Sequence, residues 1–241
     1  MVAANSTDWY KRYILVVNEN IDDRFHTSML LQEFGYNVCT AHSASSAMEF
    51  VYVAPPDGIV TEAGLTGTSL LSRMKRESRF SDIPVILLSS SQNRGCEGHV
   101  RDGEYAAWLK MPVRGEDLHR VIKSAIEKSP GRKKIVTALR AKLQDRIEGI
   151  VTVLSEQGMF FRTLDPWPVD TRLPVRLEIK GKVVKLEAVI KYITSFNDGP
   201  FKEPGMGMKF VKIIPEDKAL IKDFIIERFE NIKAPTGTLS C

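Results

Sequence analysis

The sequence predicts two folds in one chain: a doubly wound α/β domain with a five-stranded parallel sheet over residues 1–127, and a small antiparallel β-barrel with a C-terminal helix over residues 128–241. Three observations carry this. In the first part, apolar runs of strand length alternate with helical stripes, the signature of a parallel sheet covered on both faces. In the second, strand runs follow one another across turn signals and a single helical stripe comes last. The charge also changes sign: residues 1–127 hold 13 Lys+Arg against 16 Asp+Glu, and residues 128–241 hold 21 against 14.

In the first part, Tyr13-Ile14-Leu15-Val16-Val17 is a continuous apolar run, as a strand buried on both faces reads. Phe25, Met29, Leu30, Leu31 and Phe34 follow at helical spacing, and Gly35 stands where a helix ends. Residues 37–41 predict a second strand, 44–51 a second helix, and 58–61, after Pro55-Pro56, a third strand. Residues 69–75 predict a helix, 84–88 a fourth strand and 106–109 a weaker fifth. Leu118, Val121, Ile122 and Ala125 form the stripe of a last helix. In open parallel sheets functional groups gather beyond the carboxyl ends of the strands. That selects the residues after Val17, Thr61 and Leu88.

Those residues resemble a response-regulator receiver domain over about residues 13–127: the Ile14–Val17 strand, the Asp57-to-Glu62 strand, the Ile83-to-Ser89 strand, and Lys110 near Pro112. The resemblance implies an acidic pair after the first strand to hold Mg²⁺, a hard cation that wants oxygen ligands. It implies an Asp after the third strand as phosphoryl acceptor. This chain has Asn18 and Glu19 in the first place, Glu62 in the second, and Ser89 in the family's hydroxyl position. Asn18 removes one charge, and Glu62 sets its carboxylate one methylene too far out for in-line transfer. Asp22 and Asp23 sit a turn into the next helix and serve its N-terminal dipole. Lys110 is displaced by Met111 from Pro112. Glu62 and Lys110 are either a standing ion pair or two ordinary residues at strand ends. The expectation is a receiver that holds no metal and accepts no phosphoryl group.

The basic, Pro-Gly-containing joint Lys128-Ser129-Pro130-Gly131-Arg132-Lys133-Lys134 marks the boundary. Strand runs follow at 137–143, 149–153, 159–163, 172–179, 182–192 and 207–213, with turns at Gly181 and Asp198-Gly199. Pro215-Glu216-Asp217 opens a helix whose stripe is Leu220, Phe224, Ile225 and Phe229.

This part resembles a PilZ domain. The resemblance rests on Pro204-Gly205-Met206-Gly207-Met208-Lys209-Phe210, on the Pro-Glu-Asp helix start, and on Leu154-Ser155-Glu156-Gln157-Gly158. It implies cyclic di-GMP as ligand, with Lys128 and Arg132 on the family's Arg-x-x-x-Arg motif, Lys133 adjoining, and Ser155 and Gly158 on its Ser-x-x-Gly turn. Guanidinium groups meet phosphates bidentately and lie flat on purines, and a Gly turn lets backbone approach a ligand. Val153 stands where the family has Asp or Asn, and Lys128 lacks an arginine fork. For Ser155 and Gly158, turn chemistry alone is the competing account.

With 43% hydrophobic and 27% charged residues, the chain reads as globular. No apolar run approaches the ~20 residues of a membrane helix, and residues 1–11 lack a signal pattern. Cys39, Cys96 and Cys241 fit a reducing compartment, so a cytoplasmic location is expected. The four histidines have no metal-ligand spacing, and no nucleophile–base arrangement stands out. The expected protein is a bacterial-type, non-enzymatic signalling adaptor. It binds cyclic di-GMP, relays it by domain rearrangement and engages a protein partner of its pathway. Two rivals stand beside it. One is a ligand-independent interaction scaffold. The other is a binder of nucleic acid or an anionic surface through the basic half, ranked last because no groove-reading helix is present.

Overall fold

The computed structural model describes residues 12–77, 80–89, 105–129, 134–196 and 203–233. Tyr13–Val17 (β1) is buried along its whole length, as a run without polar alternation requires. It lies between Asn37–Ala41 (β2) and Gly58–Glu62 (β3). Val85–Ser89 (β4) and Ala107–Lys110 (β5) complete a parallel sheet of order β2-β1-β3-β4-β5. Four helices accompany it among the described residues: Ile21–Glu33 (α1), Ala44–Val53 (α2), Leu65–Lys75 (α3) and Gly115–Lys128 (α4). Ile14, Val16, Val60, Ile86 and Leu88 pack with Leu31 of α1 and with Leu118 and Ile122 of α4. This is the stripe expected for α4.

Two helices differ from expectation. The α1 stripe was predicted from its largest apolar residues, yet Phe25 and Met29 stay 66% and 43% exposed. The helix instead buries Leu31 with Thr27 and Ser28. Small polar residues suit that face, because Ser28 satisfies its own hydroxyl on the Arg24 carbonyl at 2.7 Å. α3 starts at Leu65, four residues earlier than Gly64 at its cap and Gly67 in its first turn suggest. Gly67 is there for space: a Cβ on it would lie 2.0 Å from the Glu62 carbonyl oxygen.

The barrel comprises Lys134–Leu143 (β6), Ile147–Ser155 (β7), Gly158–Arg162 (β8), Arg172–Ile179 (β9), Lys182–Thr194 (β10) and Gly205–Ile213 (β11). Its strands close in the order β10-β11-β8-β7-β6-β9, all antiparallel. β9 alternates strictly, Arg172, Pro174, Arg176 and Glu178 outward and Leu173, Val175, Leu177 and Ile179 inward, the period-two pattern of a half-buried strand. Irregularities at Val136/Leu139, Val151/Val153, Glu187/Ala188 and Ile190/Tyr192 bend the strands into closure. The interior is filled by Leu143, Val151, Leu154, Phe161, Leu177 and Ile190, among others. Pro215–Lys233 (α5) adds Ile221, Phe224 and Ile225 to that core.

The glycines of the Gly205-Met206-Gly207 motif have packing roles. A Cβ on Gly205 would stand 2.4 Å from the Phe161 carbonyl and 2.7 Å from the Phe160 ring, and one on Gly207 would stand 2.3 Å from the Tyr192 ring. The Phe160 and Tyr192 rings stack at 6.2 Å.

By their contacts the described residues divide into two compact units, one on the sheet and one on the barrel, residues 52–54 grouping with the barrel. No described helix is long and apolar enough to cross a membrane.

Candidate functional site

The carboxyl edge of the sheet gathers the residues selected from sequence. Glu62 ends β3 beside Leu88, and Ser89 and Lys110 lie opposite each other at the ends of β4 and β5. Asn18 and Glu19 follow β1 directly. The polar groups of the loop after β1 have local tasks. The Asn18 Oδ1 accepts the Asn20 backbone N–H at 2.8 Å. Asn20 caps α1, its Oδ1 accepting from the backbone of Asp22 at 2.8 Å and of Asp23 at 3.0 Å. Asp22 and Asp23 thus occupy the first helical turn, where negative charge meets the positive end of the helix dipole. The Glu19 Oε1 accepts from the Thr66 hydroxyl of α3. Arg24 donates to the Asn18 carbonyl at 2.5 Å.

Glu62 is half-buried, and burial pushes its carboxyl above the usual carboxylate range. A hydrogen bond from the Glu19 backbone pulls it back, while the charges of Glu19 and Asp23 push it up. Lys110 has no part in this: no ion pair joins it to Glu62 among the described residues, and its side chain is exposed. The standing Glu62–Lys110 pair is therefore not formed. β5 delivers Lys110 to solvent, while Glu62 turns toward the loop after β1.

These donors do not fit Mg²⁺. Asn18 offers one neutral oxygen, already committed to Asn20, and Glu19 is held by Thr66. Among the described residues no group of three or more His, Cys, Asp or Glu could hold a metal. Sequence reading missed Thr66 and Arg24, which carry no motif. Asn20 was findable, since Asn20-Ile21-Asp22-Asp23, an Asn with acidic residues in the turn after it, is a helix-start signal.

The second set divides. Arg132 and Lys133 lie outside the described residues. Lys128 is the last residue of α4 and exposed. Ser155 ends β7 opposite Lys134, the first residue of β6, so the strand leaving the basic joint starts beside the Ser155 turn. Lys134 itself is buried, not part of a solvated linker. The Ser155 hydroxyl accepts the Gly158 N–H at 3.1 Å and the Gln157 N–H at 3.3 Å. A Cβ on Gly158 would lie 2.5 Å from the Met208 carbonyl. Turn closure and strand packing thus employ both residues. Val153 is 1% exposed and registers with Val136 and Phe160, an apolar position throughout.

Several cations of the barrel are paired with carboxylates, although the half keeps its net positive charge. Lys142 meets Glu148 at 3.1 Å, Arg176 meets Asp145 at 2.7 Å, Lys191 meets Asp170 at 2.9 Å, and Lys180 meets Glu227. A cleft of about 490 Å³ on the outer barrel mixes Arg140, Lys142 and Arg176 with Glu148 and Glu178. Neither feature makes a one-sign surface for a polyanion.

Comparison with known proteins separates the halves in the same way. Residues 133–227 match the family model of the PilZ domain. The N-terminal half matches two-component response regulators. One from Oryza sativa subsp. indica is 30% identical over 122 residues, spanning 48% of this chain and 92% of that protein. One from Arabidopsis thaliana is 30% identical over 133 residues, spanning 45% of this chain and 57% of that protein. Among solved structures, a response regulator receiver domain protein from Clostridium thermocellum is 22% identical with a TM-score of 0.44, covering 48% of this chain and 95% of that one.

Proposed function

The chain belongs to the two-component response-regulator family and carries a PilZ domain, and from that premise we propose a non-enzymatic signalling adaptor whose receiver part, residues 1–127, takes no phosphoryl group and whose PilZ part, residues 128–241, binds cyclic di-GMP. The observation that carries the first half of this reading is Glu62 at the acceptor position, ending β3 beside Leu88. Phosphoryl transfer needs acceptor, metal and leaving group in line, and small displacements are costly. With Asn18 and Glu19 engaged in the loop, this edge is a fixed surface.

The ligand reading is supported by the PilZ match and by the register that sets the start of β6 against Ser155. In it, Lys128, Arg132 and Lys133 meet the phosphates and a guanine face, and the Ser155–Gly158 turn offers its backbone. Binding would be relayed by domain rearrangement to a protein partner in the cytoplasm. Isothermal calorimetry with cyclic di-GMP tests it. Heat that saturates and disappears in Arg132→Ala supports the reading, since only Arg132 can both pair bidentately and stack.

A second reading, the ligand-independent scaffold, is favoured by one specific observation: the Ser155 hydroxyl is engaged inside its own turn and Val153 offers no acceptor. Absence of heat in the same titration selects it. Carboxylates interspersed among the barrel cations argue against nucleic acid as partner.

A further inference from the structure

We propose that the cleft between the α1–β2 corner and α4 is an anion site that takes a small doubly charged oxyanion of the phosphate class. It lies at the amino edge of the sheet, opposite Glu62, and belongs wholly to the first unit. The cleft holds about 280 Å³ and is lined by Arg12, Phe34, Gly35, Tyr36, His119 and Lys123.

Its chemistry is one-sided. No carboxylate lines it, while a guanidinium and an ammonium enter from different elements, Arg12 ahead of β1 and Lys123 on α4. Neither cation is joined to an acidic partner among the described residues. Two separate cations balance a dianion, and a guanidinium presents paired N–H groups to its oxygens.

The floor is rigid and polar. The Tyr36 hydroxyl lies 3.2 Å from His119 Nδ1, and the Phe34 ring stacks on the imidazole at 4.6 Å with only 10° between planes. Gly115, at the start of α4, makes room for that ring, since a Cβ there would stand 3.0 Å from it. Gly35 turns the corner at φ 81°, and its N–H and that of Tyr36 close the end of α1 on Gln32 and Leu31. Donors for a ligand are therefore side chains: Arg12, Lys123, and the Tyr36–His119 pair. Burial pushes the Tyr36 phenol above its usual range, Arg12 pulls it down and Glu127 pushes it up. Arg12 and Tyr36 line the same cleft. Glu127, one turn beyond Lys123, is the carboxylate that an incoming anion would have to outweigh.

The test titrates inorganic phosphate into the ¹⁵N-labelled full chain at constant ionic strength, with chloride as the matched control. Saturable shifts confined to Gly35, Tyr36, His119 and Lys123 are expected. Arg12→Gln and Lys123→Gln, both exposed positions, should each weaken binding by about fivefold or more, the factor for one unit charge at ~4 Å even in water-like surroundings. Arg73→Gln on α3 should leave it unchanged. Adenosine monophosphate distinguishes the source. Equal affinity marks a free oxyanion, and tighter binding marks a phosphate carried on an aromatic base. Linear shifts shared with chloride, or unchanged affinity in both Gln variants, would overturn the proposal.

Discussion

Gly67→Ala tests whether α3 sits over the acceptor end of β3 as described. Gly67 lies in the first turns of α3, and a Cβ added to it would stand 2.0 Å from the Glu62 carbonyl oxygen and 3.3 Å from Thr61 Cγ2. Two effects compete. Ala is the better helix former by about 1 kcal/mol. Against this, the obstructing atom is backbone in a paired central strand, which cannot rotate away as a side-chain end would. Overpacking of this kind typically costs about 1–3 kcal/mol and occasionally more, and a 2.0 Å approach to a strand carbonyl belongs at the upper end. The helix must back off, lengthening the Thr66–Glu19 hydrogen bond that ties α3 to the loop after β1. Net destabilisation of about 1–2 kcal/mol is expected once the propensity gain is subtracted. Urea denaturation should lower the midpoint of the sheet domain's transition and leave the barrel's untouched. An unchanged or raised midpoint would refute the close approach, because propensity alone would then govern the site.

Two further outcomes follow from the same geometry. The Glu62 carboxyl is raised from its ordinary value of 4.5 by burial, so its protonated form is favoured in the folded state. The stability it contributes is fully present below the unfolded value and is lost as pH rises through the raised one. Glu62→Gln should therefore denature at higher urea than the wild type at neutral pH, with the gap closing on acidification. A gap constant across pH contradicts this. Ser155→Ala leaves the buried Gly158 N–H without its acceptor and should destabilise the barrel by about 1–3 kcal/mol. Unchanged barrel stability with lost cyclic di-GMP binding would instead make Ser155 purely a ligand contact.

The fold was legible wherever burial alone decides a residue. β1 is apolar throughout because helices cover both sheet faces, and β9 alternates because one face meets water. Ile122 and Leu118 of α4 show the same rule. Legibility failed where space or a local polar bond decides. Leu31 with Thr27 and Ser28, not the larger Phe25, meets the sheet, a choice that depends on how the helix is rotated. Gly67 reads as a loop residue but is required by contact with β3. At the site, strand ends placed Glu62, Ser89 and Lys110 on one edge as the pattern implied. The Glu62–Lys110 pair did not form, because side-chain direction at a strand end is set by neighbours such as Glu19 and not by order along the chain. The motif glycines Gly205 and Gly207 mark the family resemblance in sequence, and the reason for them is visible only in the fold, where the Phe160, Phe161 and Tyr192 groups fill the space beside them.

The most direct measurement of the central claim is intact-protein mass spectrometry after incubation with acetyl phosphate and Mg²⁺, beside the Asn18→Asp, Glu62→Asp double variant. The wild type should keep its mass, because the acceptor carboxylate is displaced by a methylene and the cation's oxygens are committed to Asn20 and Thr66. The double variant is the minimum that could restore transfer, since metal site and acceptor act as one unit. A phosphoryl adduct on the wild type that maps to Glu62 or a neighbouring Asp would contradict the account and return the protein to the phosphorylated regulators.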